Sequence, residues 1–324
     1  MPTPYAVTEP FDGGLLDVGD GHRMAWDVAG NPAGKPALIV HGGPGAALGP
    51  RARRMFDPAR YLIVQLDQRQ CGRSTPRAAE PVVDLSTNTT AHLLADIEQL
   101  RTHLGVERWL LWGGSWGTVL ALAYAEQQPQ RVSELVLASV VGHDRDDIDW
   151  VTRQMGRVFP AEWQRFRDHV PAADRDGDLA VAYARLLQDP DPAVHRPAAR
   201  EWCAWEDTHV SLAPGSEHDD RFDDPTFALT FARLVTHYWA NACFLDDGQV
   251  LRHADRLRDI PIVMVQGRYD VSGPLRPAWR LQQELPRAEL TVVDEGHGGG
   301  STMMDVIVAA TDRFASRTTA GSGP

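Results

Sequence analysis

The 324-residue sequence holds three cysteines, Cys71, Cys203 and Cys243, far apart and without a C-x-x-C pair. A fold stapled by disulfides is therefore not expected, and a reducing compartment fits. No apolar run approaches the ~20 residues that cross a bilayer. The opening stretch MPTPYAVTEPFDGG lacks the basic and apolar regions of a secretory signal, so a soluble, cytoplasmic protein is expected. There is no H-E-x-x-H and no paired Cys/His set of metal-ligand spacing. There is also no G-x-x-x-x-G-K-[ST] and no G-x-G-x-x-G after a strand, so neither metal nor cofactor is expected. Positive charge is in short supply: 32 Lys and Arg against 44 Asp and Glu, a net charge of -12. That balance disfavours nucleic acid and anionic membrane surfaces as partners and is compatible with a site for a cationic group. Internal repeats and low-complexity tracts are missing. The sequence leaves the oligomeric state open, a monomer being compatible. The small residues of 318–324 read as a frayed tail.

What is present reads as an ordinary globular chain, 43% hydrophobic and 23% charged. Short apolar runs at 14–18, 22–29, 36–40, 61–66, 109–112 and 134–141 read as strands. Two more follow at 261–265 and 289–293. Helical spacing occupies 88–104, with Thr87 or Asn88 as its cap, and then 118–127, 276–285 and 302–315. Strands alternating with helices predict a mostly parallel sheet covered on both faces. The pattern breaks at 143–245, which is rich in Trp, Arg and Asp with helical spacing and no clear strand. This segment reads as a helical cap inserted into a core made of 1–142 and 246–324.

The chemistry centres on Gly113-Gly114-Ser115-Trp116-Gly117, a G-x-S-x-G that ends a strand and opens a helix. A nucleophilic serine on a sharp strand-to-helix turn needs side-chain-free neighbours, so that the two backbones can approach. The helix N-terminus behind it offers N–H groups to a developing oxyanion. A serine hydroxyl also needs a general base and an acid to orient that base. In the α/β-hydrolase fold these follow in the order Ser, acid, His. Asp270 and His297 stand just past strand ends in that order, so Ser115, Asp270 and His297 are the candidate triad. Asp294 and Glu295 are rival acids, but they adjoin His297 in sequence. Oxyanion donors are expected from the Trp116 N–H and from the HGGPG loop at 41–45, with Gly43 favoured and Gly42 also possible.

Taken together, HGGPG, DQRQCGRS, GGSWG, GRYD and GH resemble the proline iminopeptidase family of α/β-hydrolases over most of the chain. The resemblance implies an enzyme that removes N-terminal proline from short peptides with a Ser-His-Asp triad under a helical cap. It implies that a cap glutamate in a W-x-x-W-E motif holds the substrate's ammonium. Trp202, Trp205 and Glu206 match that motif, which makes Glu206 the amine anchor, with the tryptophans and His237 and Tyr238 around the substrate. The chain departs from the family pattern at three places. Val235 stands where a second cap glutamate is usual, Gln70 where glycine is usual, and Gly298 where serine is common. Glu201, Asp207 or His237 could replace the lost carboxylate. Val235 also leaves room for a hydrolase acting on another small amide or ester. A non-catalytic binding protein that kept the fold is the third reading, and the intact Ser, Asp and His argue against it.

Overall fold

Each apolar run read as a strand pairs into a single sheet. This computed structural model describes residues 4–316 except 48, 82, 211 and 213–217, so the 318–324 tail lies outside the described residues. The strands are β1 (Pro10–Asp17), β2 (Arg23–Gly30), β3 (Lys35–Val40), β4 (Tyr61–Asp67), β5 (Trp109–Gly114), β6 (Val132–Ala138), β7 (Ile262–Gly267) and β8 (Glu289–Val293). Their order across the sheet is β1-β2-β4-β3-β5-β6-β7-β8. β2 pairs antiparallel with both β1 and β4, and every pair from β4 to β8 is parallel. Strands buried on both faces need no polar alternation. Leu38, Ile39, Leu110, Leu111, Val136, Leu137, Met264 and Val265 are accordingly all fully buried.

The helices are α1 (Thr90–His103), α2 (Trp116–Gln127), α3 (Arg145–Thr152), α4 (Pro160–His169), α5 (Leu179–Gln188), α6 (Pro192–Val210), α7 (Pro225–Ala240), α8 (Gln249–Arg252), α9 (Arg276–Glu284) and α10 (Ser301–Ala315). α1, α2 and α9 bury Leu93, Leu120 and Ala278 in one apolar cluster with sheet residues such as Leu38 and Leu111. α10 buries Ile307 and Phe314 in another, with Ile39, Val136 and Val263. The sheet is therefore covered on both faces, as the alternating pattern predicts.

Several boundaries differ from the sequence reading, two of them for a local reason. Strand β6 ends at Ala138 rather than at 141, because Ser139 takes φ 51°, a left-handed turn that leads the chain off the sheet. Helix α1 begins at Thr90, not at 88. Asn88 is occupied elsewhere: its amide donates to Arg69 O and Gln70 Oε1, and its Oδ1 accepts from the Tyr238 hydroxyl at 2.7 Å.

Helices α3–α7 hold no strand among the described residues and build an apolar cluster of their own. Phe166 stacks on Tyr183 at 4.6 Å and on Trp205 at 5.3 Å, and Trp202 meets Tyr183 edge-on. Truncating one such buried aromatic costs roughly 3–5 kcal/mol. Helix α7 ties this cluster to the sheet. Its Phe231 and Val235 lie in the α3–α7 packing, whereas Tyr238 joins the sheet cluster and meets Trp116 edge-on at 4.9 Å.

Candidate active site

The turn between β5 and α2 is built from backbone crowding. A Cβ on Gly113 would lie 2.4 Å from Gly117 O, and one on Gly117 would lie 2.2 Å from Val40 O. Only glycine lets β5, α2 and β3 come this close. Ser115, between them, has φ 53° and ψ -125°. A non-glycine residue held there stores about 1–3 kcal/mol of strain. The Ser115 N–H donates to Ala138 O at 3.0 Å, which helps hold the turn against β6.

Ser115, Asp270 and His297 meet beyond the carboxyl ends of β5, β7 and β8. His297 Nε2 lies 2.9 Å from Ser115 Oγ, and His297 Nδ1 lies 3.0 and 2.9 Å from the two Asp270 oxygens. With Nδ1–H donated to the carboxylate, Nε2 turns its lone pair to the serine hydroxyl. The Asp270 side chain is fully buried. It also accepts from Gly273 N–H at 2.7 Å and from the Gln266 amide at 3.0 Å. Ser139 donates to His297 O at 2.8 Å and so pins the histidine loop. Burial alone lowers the His297 imidazole, but Asp270 and Glu206 outweigh it, and the net position is above the ordinary value. Asp294 pairs with Arg268, and Glu295 caps α10 through Thr302 N–H and Met303 N–H. Neither rival acid is on the histidine.

The HGGPG loop is fastened from below by His41, whose burial lowers its pKa. The neutral ring accepts from Gln68 N–H at 2.9 Å on Nε2 and donates from Nδ1 to Gly42 O at 2.8 Å. Gln68 Oε1 in turn accepts from the Trp116 indole at 3.1 Å, which joins this loop to the start of α2. Gly43 takes φ 113° and lines the cavity beside Ser115 and Trp116. Gly42 packs behind the serine instead: a Cβ there would stand 3.2 Å from Ser115 Cβ.

The cavity over Ser115 measures about 650 Å³ with its open mouth, a size for a small ligand. Its walls include Ile148, Trp150, Val151, Trp239, Cys243 and Pro277. Its polar wall carries Asp147, Glu206, His209 and Ser272. Burial raises the Glu206 carboxyl to about 7, against the opposing pull of His297. Burial lowers the His209 imidazole to about 3, and His297 adds to the effect.

These wall residues correct four sequence expectations. Trp202 and Trp205 do not line the cavity, because both are fully buried in the α3–α7 packing. His237 and Tyr238 do not line it either, because they bond Asn88 O and Asn88 Oδ1. The aromatic surface comes from Trp150 and Trp239. Glu206 is the W-x-x-W-E residue that does reach the cavity.

Comparison with known proteins decides the family. The model of the α/β hydrolase fold matches residues 35–300. A probable proline iminopeptidase of Streptomyces coelicolor is 50% identical over 96% of this chain and 97% of its own length. A proline iminopeptidase of Xylella fastidiosa is 42% identical over 97% of this chain and 100% of its own. The chain belongs to the proline iminopeptidase family of α/β hydrolases. Solved structures agree on the fold. The Mycobacterium smegmatis proline iminopeptidase aligns with a TM-score of 0.63 at 18% identity, over 94% of this chain and 99% of that one. An esterase of Exiguobacterium antarcticum aligns at 0.58 and 15% identity, over 94% of this chain and 100% of its own.

The departures from the family pattern now have structural contexts. Gln70 takes φ 67°, a backbone position that suits glycine, and its side chain offsets the strain. Its amide donates to Asp84 O and its Oε1 accepts from Asn88, both at 2.8 Å. A Cβ on Gly298 would meet nothing within 4 Å, so serine would fit there equally well. Val235 is fully buried in apolar packing, and none of the three candidates to replace the lost carboxylate, Glu201, Asp207 and His237, lines the cavity. Glu201 pairs with Arg165, Asp207 with His218, and His237 with Asn88 O.

Sequence reading passed over Gln266, His209 and Ser272. His209 had a usable signal, since it follows Glu206 by three residues and so shares its helix face. The sequence also gave no sign of the exposed group His218, Asp220 and Asp223, whose ligand-type atoms lie within 4.8 Å of one another. His218 there is already bonded to Asp207 and Asp223, and the group lies outside the Ser115 cavity.

Proposed function

We propose that this chain is a serine aminopeptidase that releases N-terminal proline from short peptides. One observation carries the reading: an unbroken Ser115–His297–Asp270 relay opens into a small cavity whose wall bears the carboxylate of Glu206. The relatives named proline iminopeptidase support the substrate class. Ser115 attacks the carbonyl of the first residue, and His297 takes the serine proton and returns it to the leaving amine. Asp270 holds the imidazole in its tautomer and stabilises the imidazolium. The N–H groups of Trp116 and Gly43 receive the oxyanion, with Gly42 shaping the turn beneath. Water then releases proline from the acyl-enzyme.

Glu206 fixes the substrate's cationic amine at a set distance from Ser115, which is what an exopeptidase requires. Segment 143–245 acts as the cap over the 1–142 and 246–324 core, and it leaves room for a short peptide but not for a folded chain. Among the described residues no helix is long and apolar enough to cross a membrane. We place the enzyme in the cytoplasm, acting on small peptides without cofactor or nucleic acid. The test is a screen of N-terminal-residue arylamides against neutral esters. The proline arylamide should have the highest kcat/KM of the amides.

Val235 favours a second reading, a hydrolase of a neutral small amide or ester, because it leaves α7 without any carboxylate. In that case neutral esters outrun every amino-acid arylamide and acetylating the amine costs nothing.

A further inference from the structure

Glu206 and His209 lie one turn apart on α6, on the same face, and both line the Ser115 cavity. His209 Nε2 and Glu206 Oε2 are 3.7 Å apart. Both atoms are buried, and neither has a hydrogen-bond partner among the described residues. An unpaired buried acceptor costs about 1–3 kcal/mol, so two on one cavity wall mark a place where a ligand supplies the donors. The His209 ring is held from two sides. Its Nδ1 lies 2.7 Å from Ser272 Oγ, and its plane stands edge-on to Trp205 at 5.5 Å. The burial that keeps this imidazole neutral leaves it able to accept on one nitrogen.

We propose that His209, with Nδ1–H donated to Ser272, turns the Nε2 lone pair into the cavity as the second acceptor for the substrate's cationic amine beside Glu206. The inference rests on the aminopeptidase reading. A protonated N-terminal proline is a secondary ammonium with two N–H groups. Two acceptors 3.7 Å apart are both within hydrogen-bonding reach of one nitrogen. The pairing of one carboxylate with one neutral imidazole thus gives each N–H of the secondary ammonium an acceptor. It also supplies the contact that Val235, buried away from the cavity, does not make.

The test compares His209→Phe, which keeps a ring but no acceptor, with His209→Gln, whose amide oxygen can stand near the Nε2 position. Substrates are L-proline p-nitroanilide and the neutral ester p-nitrophenyl acetate, with pyrrolidine as a competitive inhibitor of ester turnover. His209→Phe should raise KM for the proline substrate, and Ki for pyrrolidine, by about tenfold to a hundredfold. The loss on the proline substrate should exceed any loss on the ester by at least about tenfold, and His209→Gln should recover most of the amine affinity. The thermal midpoint reports that each variant is folded.

Equal losses on ester and anilide, or an unchanged pyrrolidine Ki, would overturn the role of His209. A parent enzyme that turns over the ester, is inhibited by pyrrolidine and ignores the proline anilide would overturn the aminopeptidase reading and leave the amine site standing.

Discussion

The Gln266 amide nitrogen lies 3.0 Å from Asp270 Oδ2 and 2.6 Å from Gly273 O, while its Oε1 accepts from Val140 N–H at 2.7 Å. One side chain at the end of β7 therefore ties the acid to its own loop and to the chain leaving β6. Gln266 orients Asp270, which orients His297. Gln266→Met keeps the length but removes the donor, leaving a buried carboxylate oxygen short of a partner. The expected result is a fall in kcat of about tenfold or more with little change in KM. Gln266→Glu should be worse, because it puts a second buried carboxylate against Asp270. Steady-state kinetics on a neutral ester, with thermal midpoints as the folding control, check the order.

The pH profile should depend on the substrate. His297 must be neutral to act as base, and its position above the ordinary value moves that requirement toward neutral pH. Glu206, at about 7 through burial, must be ionised to hold a cationic amine. Both groups lose their working form as pH falls. With the proline arylamide, two protonations act together, so kcat/KM should fall more steeply below neutral pH than it does with a neutral ester. Glu206→Gln should remove the excess steepness. Parallel acidic limbs for the two substrates would show that Glu206 does not hold the amine.

Gly117 tests the elbow by itself. A Cβ placed 2.2 Å from Val40 O cannot be absorbed, because the obstacle is backbone. Gly117→Ala should cost roughly 4–5 kcal/mol or more, or give no soluble folded enzyme. Gly298→Ala, with open space around its Cβ, is the matched control and should leave the thermal midpoint almost unchanged.

The sheet, its helices and the Ser, Asp and His were legible because their signals are local: a run of apolar residues, a glycine bracket, a strand end. The cavity wall was not. Trp202 and Trp205 carry a motif that resembles a binding site, yet burial of their rings in the α3–α7 packing outweighs exposure to a ligand. Which face of α6 meets the sheet depends on how it packs with α7, a long-range fact that one sequence does not print. Trp150, Trp239 and His209 reach the cavity only through that packing. The departure at Gln70 was visible in the sequence but its compensation was not, since a glycine-like conformation is filled by a residue whose side chain makes its own hydrogen bonds.

Val235→Glu looks from the sequence like a restoration of the usual second carboxylate. In this structure it buries a charge in apolar packing. It should destabilise the protein by several kcal/mol, or titrate to neutral, without lowering KM for proline substrates. A tighter KM at an unchanged melting temperature would show that the position faces the substrate.

The central claim is that Ser115 acts on substrates held by their free amino terminus. It is tested most directly by kcat/KM on L-proline p-nitroanilide and on its N-acetyl derivative, for the parent enzyme, Glu206→Gln and Ser115→Ala. The account predicts a preference of about a hundredfold or more for the free amine in the parent. That preference should largely disappear in Glu206→Gln, and activity on both substrates should fall by several powers of ten in Ser115→Ala. Equal turnover of the free and acetylated substrates by the parent, or substantial activity in Ser115→Ala, would contradict it.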